Sequence, residues 1–129
     1  MKLIIKNTEL SDNKIYVDCI TEIGNFKGIW MSNNVPIKDK EYFTELTIIK
    51  YCVDISCVNN KCSSVSVCAK NGIVQFVGYC EDMDDEVYYI RLNNDWLEMV
   101  DFTDNDSEIK NGDFVSFSAN SDCILIYPY

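Results

Sequence analysis

Four of the chain's seven cysteines fall in one run, "YCVDISCVNNKCSSVSVCAK" (51–70), at Cys52, Cys57, Cys62 and Cys68. Clustered thiols hold a metal, close a disulfide or serve as nucleophiles. Structural zinc sites use Cys pairs two to four residues apart, commonly with histidine. Here the gaps are four, four and five residues, and the chain has no histidine. A hairpin turning on "VNNK" sets Cys57 opposite Cys62 and Cys52 opposite Val67. Side chains alternate faces, so Cys52 and Cys68 then point to opposite sides, which argues against a four-thiolate site. Opposed strand residues have Cβ atoms about 4.5–5.5 Å apart, slightly wide for a Cys57–Cys62 disulfide. The odd number of cysteines and the lack of an export signal favour free thiols. Without histidine, Cys–His and Ser–His nucleophiles are excluded. Lys61 is the one residue of the "VNNK" loop placed to activate a thiol, Cys62. The cysteines therefore read as small, half-apolar strand and turn residues, and no metal or other cofactor is expected.

The carboxylates are the second group with chemical potential. The net charge is −10, unevenly spread. Residues 1–70 hold nine Lys against eight acids, a net of +1; residues 71–129 hold Arg91 and Lys110 against thirteen acids, a net of −11. Eleven acids lie between Glu81 and Glu108, interleaved with Met83, Tyr88, Tyr89, Trp96, Met99 and Phe102. Neither "DNDSEIKNGD" (104–113) nor "EDMDDE" (81–86) is an EF-hand loop; counted from Asp104, the sixth position, which requires glycine, is Ile109. The acids point to no particular paired-carboxylate hydrolase. Glycine-rich phosphate loops and His-Glu-x-x-His are absent.

The elements that must position these groups repeat with period two. "KLIIK" (2–6), "KIYVDCIT" (14–21), "GNFKGIWM" (24–31), "EYFTELTII" (41–49), "SSVSVCA" (63–69), "GIVQFVGYC" (72–80), "EVYYIRL" (86–92), "DFVSFSA" (113–119) and "CILIYPY" (123–129) are rich in β-branched and aromatic residues. Asn-Asn at 33–34, 59–60 and 93–94, and Asn-Gly at 71–72 and 111–112, separate them. "NDWLEMVDF" (94–102) suits a strand better than a short helix capped by Asp95, so helix is confined at most to residues near 95–101. The pattern predicts one all-β domain over residues 1–129, an antiparallel barrel or sandwich of nine or ten short strands. A weak repeat aligns "CITEIGNFKGIWMSNN" (19–34) with "CEDMDDEVYYIRLNN" (80–94), and 37–43 with 109–115. It would divide the domain into two similar β-units, 14–50 and 73–127.

No apolar run approaches the ~20 residues of a membrane span, and the start has no signal-peptide pattern, so a cytoplasmic, bacterial protein is expected. Like charges packed this densely repel and cost stability, which suggests a use. The expected partner is a basic protein, steered by charge and held by aromatic anchors, with neither nucleic acid nor membrane involved. Asp82, Asp84, Asp85, Glu86, Tyr88, Trp96, Glu98, Asp101, Asp104 and Asp106 are the candidate contact residues. Nuclease sites are basic because they bind phosphate, so a carboxylate surface can mimic their substrate. The reading is therefore a non-enzymatic immunity or antitoxin-type protein that neutralises a basic toxin. One alternative is an OB-like oligonucleotide-binding barrel using Lys27, Lys38, Lys40 and Lys50 with Phe26, Trp30 and Tyr42. The net negative charge opposes it. Another is a small β-barrel enzyme or sugar-binding module.

Overall fold

The computed structural model describes residues 1–52, 56–57, 64–85, 87–101 and 109–129, with only the backbone of Ser56 and Cys57. These residues form eleven strands and one 3₁₀ turn, Ser121–Cys123. The strands are β1 (Lys2–Ser11), β2 (Lys14–Thr21), β3 (Gly24–Trp30), β4 (Glu41–Ile48), β5 (Ser56–Cys57), β6 (Ser66–Lys70), β7 (Ile73–Asp84), β8 (Val87–Asn93), β9 (Trp96–Asp101), β10 (Phe114–Asn120) and β11 (Ile124–Pro128). Each of the nine predicted runs contains or overlaps a strand, and residues 96–101 are strand. The all-β reading holds.

The first four strands and the last close a five-stranded barrel. β1 pairs with β2 and β4, β2 with β3, β4 with β11, and β11 returns to β3 as a parallel pair at Ile29 and Trp30. Asp12 and Asn13, both at positive φ, make the tight turn between β1 and β2. At its other end β3 pairs in parallel with β6, through Gly24 and Asn25. These two parallel joints depart from the purely antiparallel expectation. Gly24 has φ +139, and a Cβ there would overlap the Val67 carbonyl oxygen, so the joint depends on glycine.

Residues 49–123, between β4 and β11, carry the second part of the molecule. β6 turns into β7 at Asn71-Gly72, both at positive φ, as that dipeptide predicts. β7 pairs along one length with β6 and β10, and beyond Tyr79 with β8, which in turn pairs with β9. One core cluster spans both parts: Leu3, Ile5, Val17, Phe26 and Ile126 from the barrel, Val74, Phe76, Ile90, Val115 and Phe117 from the rest. Each such side chain contributes about 1.5–3 kcal/mol of burial.

The expected opposition of Cys52 and Val67 is not formed. Val67 lies between Gly24 and Phe76, and the Cys52 N–H donates to the Ser118 carbonyl. Ser118 pairs with Gln75 and Gln75 with Cys68, so β10 and β7 lie between Cys52 and Cys68. The Cys57–Cys62 pairing lies outside the described residues. The two aligned segments of the repeat share a hairpin, β2–β3 and β7–β8, but not a circuit: β4 pairs with β1 and β11, whereas β10 pairs with β7 and β5.

Candidate functional site: the acidic face of β7, β8 and β9

In "VYYIRLN", alternation sends Tyr88, Ile90 and Leu92 inward and leaves Val87, Tyr89 and Arg91 on the outer face. A bulge at Glu81 shifts the β7 register, so that Asp82 rather than Glu81 stands opposite Tyr89. Cross-strand pairing then arranges the outer face in three rows. Asp84, Val87 and Asp101 form the first; Asp82, Tyr89 and Met99 the second; Tyr79, Arg91 and Leu97 the third. The face thus grades from carboxylates at the hairpin end to apolar groups near Arg91. Met99 is 63 % exposed, and Tyr79 and Leu97 are also exposed. Tyr79 is braced edge-on by Phe114, with ring centroids 5.6 Å apart.

Charge on this face is mostly uncompensated. Arg91 grips Glu81 with two hydrogen bonds, Nε to Oε2 at 2.7 Å and Nη2 to Oε1 at 3.3 Å. Those bonds hold the Glu81 carboxyl below its ordinary range. Asp82, Asp84 and Asp85 are exposed, with no cation within ion-pair distance among the described residues. Asp85 occupies the hairpin turn at φ +49.

The predicted contact residues separate into groups. Asp82, Asp84, Asp85 and Asp101 lie exposed on one ribbon. Glu86, Asp104 and Asp106 lie outside the described residues. Tyr88 and Trp96 are 2 % and 5 % exposed and belong to the core, which corrects their reading as surface anchors. The Trp96 ring packs edge-on against Phe76, itself stacked on Phe117. Glu98 also turns inward: its Oε2 accepts from Trp96 Nε1 at 3.0 Å and its Oε1 from the Tyr51 hydroxyl at 2.9 Å. Burial pushes the Glu98 carboxyl up, against the lowering effect of both donors, and pushes the Tyr51 hydroxyl up as well. The exposed apolar members are instead Tyr79, Leu97 and Met99. For Leu97 and Met99 the signal was the odd-numbered phase of β9, which the inward Trp96 sets.

The lysine and aromatic set of the first half is only partly brought together. Phe26 and Trp30 are buried, while Lys27 is bound to Glu9 at 3.2 Å and lies 4.0 Å from Asp18. Lys40 stands over the Tyr42 ring at 5.0 Å, and Tyr42 meets Trp30 edge-on. Beside them is a hollow of about 650 Å³ bordered by Val35, Ile37, Phe43 and Tyr129. Burial, with Asp18 beside it, pushes the Cys19 thiol up to about 12, and burial with Asp122 pushes Cys123 up, so neither is primed as a nucleophile. Among the described residues no group of three or more Cys, Asp or Glu is placed to hold a metal ion. No helix among them is long and apolar enough to cross a membrane. Comparison with family models, curated proteins and solved structures finds no match.

Proposed function

We propose that this chain is a non-enzymatic binding domain that neutralises a basic protein, in the manner of a bacterial cytoplasmic immunity protein acting on a toxin such as a nuclease. One observation carries the reading: the outer face of β7–β9 sets exposed Met99, Leu97 and Tyr79 beside Asp82, Asp84, Asp85 and Asp101. Apolar contact area bordered by like charge suits a partner of opposite sign, because the charge steers the encounter and the apolar groups slow its dissociation. The binding residues on this account are Tyr79, Asp82, Asp84, Asp85, Tyr89, Leu97, Met99 and Asp101. The test is purification of the tagged chain from its native cells at low salt, followed by kinetics with whatever basic protein accompanies it. Reversal of Asp84 and Asp85 to Lys is expected to slow association at least tenfold. A partner that binds the reversed chain equally fast would overturn the proposal.

A second reading draws on the barrel. The circuit β1-β2-β3-β11-β4, with its parallel β3–β11 pair, is the strand order of an OB-like barrel, whose β2–β3 face binds oligonucleotides in other proteins. That is analogy of fold, not of site. On this chain's β2–β3 hairpin, Lys27 is taken up by Glu9 and Asp18 and Phe26 is buried, which leaves exposed Lys14 and half-buried Tyr16 as the cation and ring for such binding, against a net charge of −10. A fluorescent single-stranded oligonucleotide is therefore expected not to bind at physiological salt.

A further inference from the structure

Where β4 meets the start of β9, a cavity of about 400 Å³ opens between the barrel and the acidic ribbon. Its walls include three aromatic rings, Phe43, Trp96 and Tyr129, and three carboxylates, Glu45, Asp95 and Glu98. Asp95 is matched by the Met1 amine at 2.8 Å. Glu45 has no hydrogen-bond or ion-pair partner among the described residues, and Glu98 is held only by the neutral donors Trp96 and Tyr51. Leu97 belongs both to this cavity and to the outer face of the ribbon. A partner lying on that face therefore has the cavity at its border.

We infer that this cavity receives an arginine side chain of the basic partner, its guanidinium facing Glu45 and Glu98 and its stem lying along the aromatic walls. The inference rests on the binding reading above and names one contact within it. Arginine fits better than lysine for physical reasons. Its planar fork offers five donors to carboxylates on different walls, it stacks on aromatic faces, and it sheds water more readily than an ammonium. The cavity is of the size that takes a small ligand, and 300 Å³ or somewhat more is typical of such sites. A cation beside Glu98 also relieves what burial does to that carboxyl, since an opposite charge favours the ionised form.

The two tryptophans supply the test. Trp96 Nε1–H bonds to Glu98, whereas Trp30 Nε1–H bonds to the Asn34 carbonyl in the neighbouring hollow. The full chain, labelled with nitrogen-15, is titrated with N-acetyl-arginine methylamide, and the two indole resonances are followed. The expected result is a saturable shift of the Trp96 resonance with Trp30 unmoved. Half-saturation should rise about tenfold in Glu45→Gln, the size of one lost charge-assisted hydrogen bond. Glu45 is exposed, so this variant is expected to keep its fold. A Trp96 resonance that does not move, that moves equally with the norleucine analogue, or that responds unchanged in Glu45→Gln overturns the inference. The two proposals fail separately. A basic protein whose association depends on Asp84 and Asp85 but leaves the Trp96 indole unmoved overturns the cavity and supports the ribbon. Saturable arginine binding with no effect of the Asp84/Asp85 reversal on any partner does the opposite.

Discussion

The barrel and the β7–β9 ribbon are built by the same alternation, yet they treat their charges differently. On the barrel, Lys2 faces Glu41 at 3.6 Å across neighbouring strands, and Lys27 on β3 reaches past β2 to Glu9 on β1 at 3.2 Å. On the ribbon a single arginine answers Glu81, and Asp82, Asp84 and Asp85 stand exposed with no cation at ion-pair distance among the described residues. Exposed pairs contribute little, so matching them is not what makes the barrel stable. What differs is the balance of charge, a net of +1 over residues 1–70 and −11 over residues 71–129, and net charge sets the long-range field. Stability in both regions comes from the buried side, and the outer side of the ribbon is free to be specialised.

The comparison is broken most sharply by exchanging which face is cut back. Trp96→Ala removes a ring packed on Phe76 and is expected to cost about 3–5 kcal/mol of folding stability, read by denaturant unfolding. Met99→Ala, three residues on but outward, is expected to stay within about 0.5 kcal/mol. Equal losses would mean that the ribbon has no outer face. Next in size is Gly24→Ala, which forces a Cβ onto the Val67 carbonyl where β3 joins β6. About 1–3 kcal/mol is expected there, and an unchanged melting temperature would contradict that joint.

A fourth variant concerns the inward carboxylate. The folded-state pKa of Glu98 is raised by burial, so the folded protein binds its proton more tightly than the unfolded chain. Its stabilising contribution is therefore complete below the unfolded carboxyl pKa and is lost as pH rises through the raised folded value. Gln keeps an acceptor for Trp96 without the charge. Glu98→Gln should therefore gain on the wild type as pH increases from mildly acid towards neutral. Melting curves across that range check the sign, and a gap that widens towards low pH would contradict it. Lys27→Ala, which breaks exposed ion pairs, should cost no more than about 1 kcal/mol.

Much of this fold is legible in the chain, because a half-buried strand writes its burial into every second residue. "KIYVDCIT" became β2 over the expected residues, and "VYYIRLN" announces both faces of β8. The parallel joints were not legible: residues far apart in sequence pair through backbone groups that every residue carries. The inward phase of Trp96 and Glu98 was hidden for another reason. A glutamate two residues after a tryptophan reads as surface, and only the bonds from Trp96 and Tyr51 explain why it turns in. The bulge at Glu81 likewise reassigns which acid faces Tyr89, and nothing in "CEDMDD" marks it. The acidic strip itself was plain from charge counting. Which of its apolar residues are exposed was not, because that depends on the register of β9 against β8.

The most direct measurement is the rate at which the chain associates with the basic partner proposed for it as ionic strength is raised, for the wild type and for the Asp84→Lys, Asp85→Lys double variant. Charge steering is screened over a Debye length, about 8 Å at physiological salt. The wild-type rate should therefore fall steeply with salt, while the variant should start at least tenfold lower and follow a shallower slope. Two parallel curves, or a wild-type rate indifferent to salt, would contradict the assignment of the ribbon as the binding face.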